Sequence, residues 1–562
     1  MQHINLKENK LIITFKFDRR FVDAIKTIDG RVWNKEMKRW EIPKENVKQT
    51  LDVLVPLGFN AHLDVVMLSK KEDQFLQNIN RIRKSDDGGY TGSLPLFDFQ
   101  KKGAMFLKEM PGVLLGDVPG LGKTIQTIAA TDHEEQILIF CPASLKYSWA
   151  EEIKKWVKDA KVLVVDGNKK KRIEQWMHAL NGYYIGSQRV IPKFVIANYE
   201  LLLHDYAYID RRIWPVIVCD EATRISNPDA RTTKLLKLLK CKKKIALTGT
   251  PVSNTPDDIY SLIDWIAPGY LGTFSQFRKK YCIFDYDPEL AFGTRVTGYR
   301  NMNELSEKIG RFMLRRTKEE VFDDFPKKTT EDIKFEMSPE EKKLYENIKE
   351  LIWHELHSLK INKMTIGIMP VKMLRLKQCT NHPELLQDEK NTPSTKLQVL
   401  KDLLSPILAS GEKVIIFTQF SEMAKILYRE LEGYPKYLIY GEVLSQDRME
   451  IVNEFNAEQK GSIMIMTEAG AYGLNLQTAS YVIHYDLPWS VAKYTQRSDR
   501  AHRIGQKKAV TIYNLIAKNT IDQYVNDVLM KKYKVSNDVL ADSTRMEEAG
   551  LTLEDIEEIL NI

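Results

Sequence analysis

Gly120, Gly122, Lys123 and Thr124 stand in VLLGDVPGLGKTIQT (residues 113–127), with an apolar run before the glycines and another after them. Glycine lets the backbone approach a polyphosphate closely, a helix N-terminus offers unpaired N–H groups and a positive dipole end, and a lysine and a hydroxyl complete the cradle. In that chemistry Lys123 reaches the β- and γ-phosphates of ATP, Thr124 ligates Mg²⁺, and the amides about Gly120 and Gly122 hold phosphate oxygens. Asp117 stands where the G-x-x-x-x-G-K-T pattern has its first glycine, and Gly116 comes one place earlier. GKT alone can also be a plain glycine turn, so the rest of the chain must supply the partners.

Two such partners follow. Asp220 and Glu221 come directly after the apolar run VIVC, and adjacent carboxylates at the end of a buried strand suit ATP hydrolysis, with Asp220 holding Mg²⁺ and Glu221 orienting the attacking water. The alternative is a capping pair before a helix. Further on, QRSDRAHRIGQ (496–506) reads as an arginine-dense helix. Arg500 and Arg503 then share one face at i, i+3 and can act as arginine fingers on a γ-phosphate held elsewhere in the chain. A solvated or ion-paired face is the plainer explanation for such a run.

These residues need rigid elements behind them. Short apolar runs at VLL (113), ILIF (137), VLVV (162), FVIA (194), VIVC (216) and IAL (245) alternate with helical stretches, the pattern of a parallel sheet covered on both faces. A charged stretch from about 257 to 410 reads as helical. KVIIFT (413), YLIY (437), SIMIMT (462), YVIHY (481) and VTIYNLI (510) then form a second parallel-sheet series without a second phosphate loop. The expected class is α/β, with two parallel-sheet lobes and helical insertions.

Residues 1–62 read as a separate small α+β module of order β-α-β-β-α: LIITFKF as a strand, FVDAIKTI as a helix, GRVWNKEMKRWEIP as a hairpin, ENVKQTLDVL as a helix. Trp33 and Trp40 flank a basic turn with Lys35, Lys38 and Arg39, which either grips nucleic acid by stacking or buries both indoles in a core. Residues 63–93 are polar and end in SDDGGYTGS, the composition of a linker with a domain boundary near Gly92. The chain therefore divides into the module, this linker, a first lobe over 94–330, a helical insertion over 331–410, a second lobe over 411–530 and an acidic tail over 531–562. TLEDIEEIL in that tail reads as an amphipathic helix that packs on the body or docks a protein partner.

Composition narrows the classes. The 562 residues, 43% of them hydrophobic, suffice for several cores, and a net charge of +7 is compatible with a phosphate-backbone partner without requiring one. The five cysteines lie far apart, so no disulfide framework or zinc ribbon is indicated, and no metal other than Mg²⁺ is expected. No run approaches the roughly 18 apolar residues of a membrane span. A soluble protein of a prokaryotic or virus-infected cytoplasm is expected.

GDVPGLGKTIQTI, CPASLKYSW, VIANYELL, DEAT, LTGTPVSNTPDDIYSLIDWI, LRRTKEEV, KQCTNHPEL, VIIFTQF, EAGAYGLNL and QRSDRAHRIGQ follow one another in the order of the Swi/Snf-type helicase-like ATPases, which the chain resembles over roughly residues 94–530. The resemblance implies two RecA-like lobes, ATP between them and duplex DNA across both. It implies an adenine contact from Gln100 and DNA contacts from the blocks at Pro142 to Lys146, Asn198 and Tyr199, Thr418 and Gln419, Gly470 with Asn475, and Trp489. The activity it implies is a DNA-dependent ATPase that translocates on duplex DNA to displace proteins or remodel DNA structures. Residues 1–62 also resemble the HepA-related (HARP) domain of annealing helicases, which favours forked DNA and a fork-remodelling or strand-annealing activity. Three positions depart from the Swi/Snf pattern: Val118 replaces an acidic residue, Tyr472 a glycine, and Thr223 the histidine after D-E-A. The last keeps open an ATP-switched DNA-binding module with little turnover.

Overall fold

The structure, a computed structural model, describes residues 2–249, 256–286, 294–322, 324–358, 363–386, 393–468 and 474–539. They fall into two compact units, one holding residues up to Val118 and from Gly122 to Val321, the other beginning at Phe322 with residues 119–121 assigned to it.

The sheet that carries the phosphate loop has seven strands, in the order Met313–Leu314, Gly112–Leu115, Cys241–Leu247, Trp214–Asp220, Ile137–Cys141, Phe194–Asn198 and Val162–Val164, all parallel. Six of them are the apolar runs read from the sequence. They are continuous because both faces are covered: Ile137–Cys141 is buried at every position. The seventh, Met313–Leu314, is an edge strand too short to show a pattern of its own.

The second unit carries a parallel six-stranded sheet, in the order Lys328–Phe335, Val510–Ala517, Tyr481–His484, Val414–Thr418, Ile463–Thr467 and Lys436–Ile439. The stretch 257–410 is therefore not wholly helical. Lys328–Phe335 is an edge strand of polar residues exposed along most of its length, so it lacks the apolar alternation of a strand. Cys282–Tyr286 and Thr294–Tyr299 form a hairpin in the same stretch. The expected α/β class with two parallel-sheet lobes is the observed one.

The N-terminal module is a five-stranded sheet, Val32–Asn34, Arg39–Pro43, Lys10–Thr14, His3–Lys7 and Asn60–Ala61, with helices Arg19–Ile25 and Val47–Leu54. His3–Lys7, absent from the expected order, pairs antiparallel with Lys10–Thr14 through Glu8 and Asn9, both at positive φ (49° and 65°), as a two-residue hairpin turn requires. Phe15, Phe21 and Phe59 meet edge to face, with centroids 5.0–5.7 Å apart, in its core.

The expected linker is largely a helix, Leu63–Lys84. Val65, Leu68, Phe75, Ile79 and Ile82 recur at helical spacing and make a thin apolar stripe that the polar composition hides; Val65, Ile79 and Ile82 are buried. Nor does the first compact unit break near Gly92. Instead the module docks within it: Asp29 accepts from Lys280 Nζ at 3.1 Å and from Lys308 Nζ, Arg311 pairs with Glu72 at 2.5 Å, and Asn46 donates to the Tyr270 carbonyl at 3.4 Å. A Cβ at Gly30 would lie 2.4 Å from the Gly269 carbonyl oxygen, so glycine permits this close approach.

Candidate nucleotide site and nucleic-acid interface

Gly122, at φ +77°, is the N-cap of helix Lys123–Thr131, and Gly120 stands at φ +93°. Both conformations favour glycine, and they let the chain pass from strand Gly112–Leu115 into the helix with its first amides pointing out of the turn. Lys123 Nζ donates to the Asp117 carbonyl at 2.7 Å, so the lysine lies back across the loop. Thr124 is half-buried in the first helical turn.

Gln100 reaches this loop from another element. It is buried in helix Asp98–Glu109, accepts from the Phe97 N–H at 3.2 Å, and has its Nε2 where a Cβ at Gly122 would come within 2.6 Å. Gly122 thus serves twice, in the turn and as the space into which Gln100 projects.

The carboxylate pair lies on the same edge of the sheet. Asp220 pairs in register with Leu247, and Leu247 with Leu115, so the end of strand Trp214–Asp220 and the start of the phosphate loop stand in one row. Glu221 leaves the strand in a left-handed conformation, φ 48°, which is costly for a residue with a Cβ. Its N–H donates to Asp220 Oδ1 at 2.9 Å, and Trp149 Nε1 donates to Asp220 Oδ2 at 2.8 Å. Burial, together with the Glu221 charge, pushes the Asp220 carboxyl up to about 6. The Asp220 carboxylate and the Thr124 hydroxyl are both hard oxygen donors of the kind Mg²⁺ takes, with one or two carboxylates and the other positions left to phosphate and water. Among the described residues no group of three or more His, Cys, Asp or Glu could hold a metal by itself. Thr223 is half-buried in the single turn Ala222–Ile225.

Several expected DNA contacts are turned inward. Pro142 is buried, and Lys146, 5% exposed, gives its Nζ to Asp166 and to the Val165 carbonyl, both at 3.1 Å. Tyr199, 3% exposed, donates its hydroxyl to the Asp220 carbonyl at 2.8 Å. Thr418 is buried and donates to Asp486 at 2.5 Å. Lys146, Tyr199 and Thr418 thus spend their polar atoms on groups at strand ends. Asn198, Gln419 and Trp489 are half-buried, Asn475 is exposed, and Gly470 and Tyr472 lie outside the described residues, as do residues 250–255 and the expected C-terminal helix.

In the second unit the expected arginine helix ends early. Val491–Ser498 is helical, but Asp499 (φ −78°, ψ 3°) leaves the helix, so Arg500 and Arg503 do not share a helical face. Arg500 is buried, and Arg503, half-buried, donates Nε to the Asp499 carbonyl at 3.1 Å. Arg497, on the helix and not singled out from the sequence, donates to the Asp486 carbonyl at 2.7 Å and to Glu468 at 2.8 Å. Burial alone would push the Asp486 carboxyl up, but the Arg497 and Lys377 charges bring it below the ordinary range. Lys377 donates to the Leu487 carbonyl at 2.6 Å and lies 5.2 Å from the Trp489 ring, and burial lowers its ammonium to about 8. Trp149 and Asp486 were equally missed; the CPASLKYSW block contains Trp149, but nothing local reveals its partner.

Trp33 and Trp40 sit opposite each other across the N-terminal hairpin with ring centroids 5.3 Å apart; Trp33 is 43% exposed and Trp40 half-buried. Trp40 packs against the core of the module, whereas Trp33 stands outside it.

Among the described residues no helix is long and apolar enough to cross a membrane. Comparison with known proteins gives a consistent result. A putative ATP-dependent helicase/translocase of Bacillus subtilis is 30% identical over 83% of this chain and 50% of its own length, and human chromodomain-helicase-DNA-binding protein 1 is 30% identical over 83% of this chain and 28% of its own. The chain therefore spans half or less of the length of these relatives. A solved SWI2/SNF2 ATPase core of Sulfolobus solfataricus in complex with dsDNA is 29% identical, over 84% of this chain and 97% of that one, with a TM-score of 0.36. The model of the helicase conserved C-terminal domain matches residues 395–505. The model of the SNF2-related domain matches residues 32–385, more than half of the sequence, and the chain belongs to that family.

Proposed function

We propose that this chain is a DNA-stimulated ATPase that translocates along duplex DNA to displace proteins or remodel DNA structures. The observation that carries the reading is the row formed by the phosphate loop and the Asp220–Glu221 pair on one edge of a parallel sheet, in a chain of the SNF2-related family. Lys123 and the loop amides hold the phosphates of ATP, Gln100 meets the base, and Thr124 and Asp220 hold Mg²⁺, which supplies charge neutralisation at the phosphates. Glu221 orients water toward the γ-phosphate. Arg500 and Arg503 are the candidate arginine fingers for the γ-phosphate, and Asn198, Gln419, Asn475 and Trp489 contact DNA.

The direct test is phosphate release with and without duplex DNA. Lys123→Ala abolishes turnover by weakening ATP binding, whereas Glu221→Gln abolishes turnover while ATP stays bound. Equal hydrolysis by both variants and the wild type would remove the assigned chemistry.

A second reading, that the substrate is forked DNA, rests on the exposed Trp33 face beside Trp40 and the basic turn. Stimulation by forked over linear DNA at fixed salt distinguishes it from plain duplex translocation.

A further inference from the structure

The segment leaving the first unit is zipped along the strand that enters the phosphate loop. Leu114 N–H donates to the Phe312 carbonyl at 2.9 Å, Gly116 N–H to Leu314 at 2.7 Å and Val118 N–H to Arg316 at 3.1 Å. Where this zipper ends, Arg316 turns inward and is 9% exposed. Its Nε donates to Asp117 Oδ1 at 3.0 Å, and its Nη2 to Asp117 Oδ2 at 2.6 Å and to Gln126 Oε1 at 2.9 Å. Nη1 donates to the Phe99 carbonyl, next to Gln100. Asp117 is fully buried and also accepts from Gln126 Nε2 at 3.1 Å, while its own carbonyl receives Lys123. One guanidinium therefore touches the start of the phosphate loop, the helix that follows it and the helix that carries Gln100.

Gly103 shows how tightly these parts are fitted. It lies inside helix Asp98–Glu109, where glycine weakens a helix, yet a Cβ there would stand 1.8 Å from Gln126 Oε1 and 2.8 Å from Arg316 Nη2. The cluster fills the space a side chain would need.

We propose that Arg316 is a positioning residue for nucleotide binding, which sets the Asp117 carbonyl against Lys123 and holds the Gln100 helix at the phosphate loop. The proposal rests on the ATP reading above and goes beyond it, because Arg316 acts through Asp117, Gln126 and the Phe99 carbonyl. Asp117, in the place of the pattern's first glycine, then has a purpose: its carboxylate is the anchor that the arginine grips bidentately, a geometry a lysine cannot reproduce.

The test is binding of ATP with Mg²⁺, steady-state kinetics and melting without nucleotide, on the full chain. Arg316→Lys keeps a charge opposite Asp117 but loses the fork, and Gly103→Ala displaces Gln126 and Arg316 without altering charge. Both raise KM and Kd for ATP at least tenfold, with kcat within about threefold of wild type. Arg172→Met breaks a different ion pair, half-buried Arg172 with buried Asp205, 2.8 Å apart, and lowers the melting temperature without moving KM. Wild-type affinity in both Arg316→Lys and Gly103→Ala overturns the proposal and leaves the ATP reading standing. An equal rise in KM for Arg172→Met overturns it too, since lost stability alone would then suffice. No ATP binding by the wild type overturns both.

Discussion

The Trp149 indole N–H donates to Asp220 Oδ2 at 2.8 Å, while the Glu221 amide holds the other oxygen at 2.9 Å. Both carboxylate oxygens are thereby fixed in orientation before any cation arrives. Trp149→Phe keeps the packing and removes the donor; a hydrogen bond to a charged group contributes about 1.5–3 kcal/mol, so the Mg²⁺ concentration that half-saturates turnover rises roughly 10- to 100-fold. A Mg²⁺ titration of ATP hydrolysis checks this. An unchanged midpoint would show that Asp220 needs no help from the indole.

Arg503→Ala separates hydrolysis from DNA grip. An arginine finger on a γ-phosphate, the role proposed for Arg503, supplies about 10³- to 10⁵-fold in rate, whereas a lost phosphate contact to DNA lowers the salt slope of binding by about one. Turnover falls and the salt slope stays. Normal turnover with weaker DNA binding reverses the assignment. Arg497→Ala behaves differently, because Glu468 and Asp486 lose a buried partner, and the second unit is destabilised by about 3–5 kcal/mol.

Asp29 ties the N-terminal module to the rest of its unit. Asp29→Asn weakens charged hydrogen bonds to Lys280 and Lys308 and lowers stability by about 1–3 kcal/mol, which calorimetry reads as a lower melting temperature of the first unit. A chain beginning at Ser93 loses Asp29, Asn46 and Glu72 together and melts earlier still. Trp33→Ala removes an exposed ring and leaves stability nearly unchanged, while any preference for forked DNA falls by about 5- to 150-fold. A Ser93 chain as stable as the full protein would show that the docking contributes nothing.

His484 makes the second unit acid-sensitive. Its ring is buried, bonds to Ser498 Oγ at 3.2 Å, stacks on Tyr494 and has Arg497 nearby; burial first, then that charge, holds its pKa well below 6.5. The folded state therefore binds fewer protons than the unfolded one, so this stability is present above about pH 6.5 and is lost as pH falls below it. By pH 5.5 the loss is at most about 1.4 kcal/mol, the limit set by the unfolded imidazole. Urea midpoints at pH 7.5 and 5.5 detect the loss, and His484→Gln flattens it. Equal slopes for the two proteins would mean another group titrates.

Much of this protein is legible in local patterns. Strands covered on both faces write themselves as apolar runs, which is why six strands of the first sheet and five of the second could be read, and why the Asp220–Glu221 pair could be placed at a strand end and Lys123 in the loop-to-helix turn that follows another. Patterns fail where neighbours in space are remote in sequence. Arg316 and Asp117 are 199 residues apart and Trp149 and Asp220 are 71 apart, so neither pair has a local signature. Nor does composition tell which way a polar side chain turns. The family resemblance implies DNA contacts at Lys146, Tyr199 and Thr418, but their polar atoms meet the Val165 and Asp220 carbonyls and the buried Asp486 carboxylate, groups that need partners inside the fold. The same holds at Asp499, where leaving the helix separates Arg500 from Arg503, and at Leu63–Lys84, whose thin apolar stripe gains meaning only from the surface it covers.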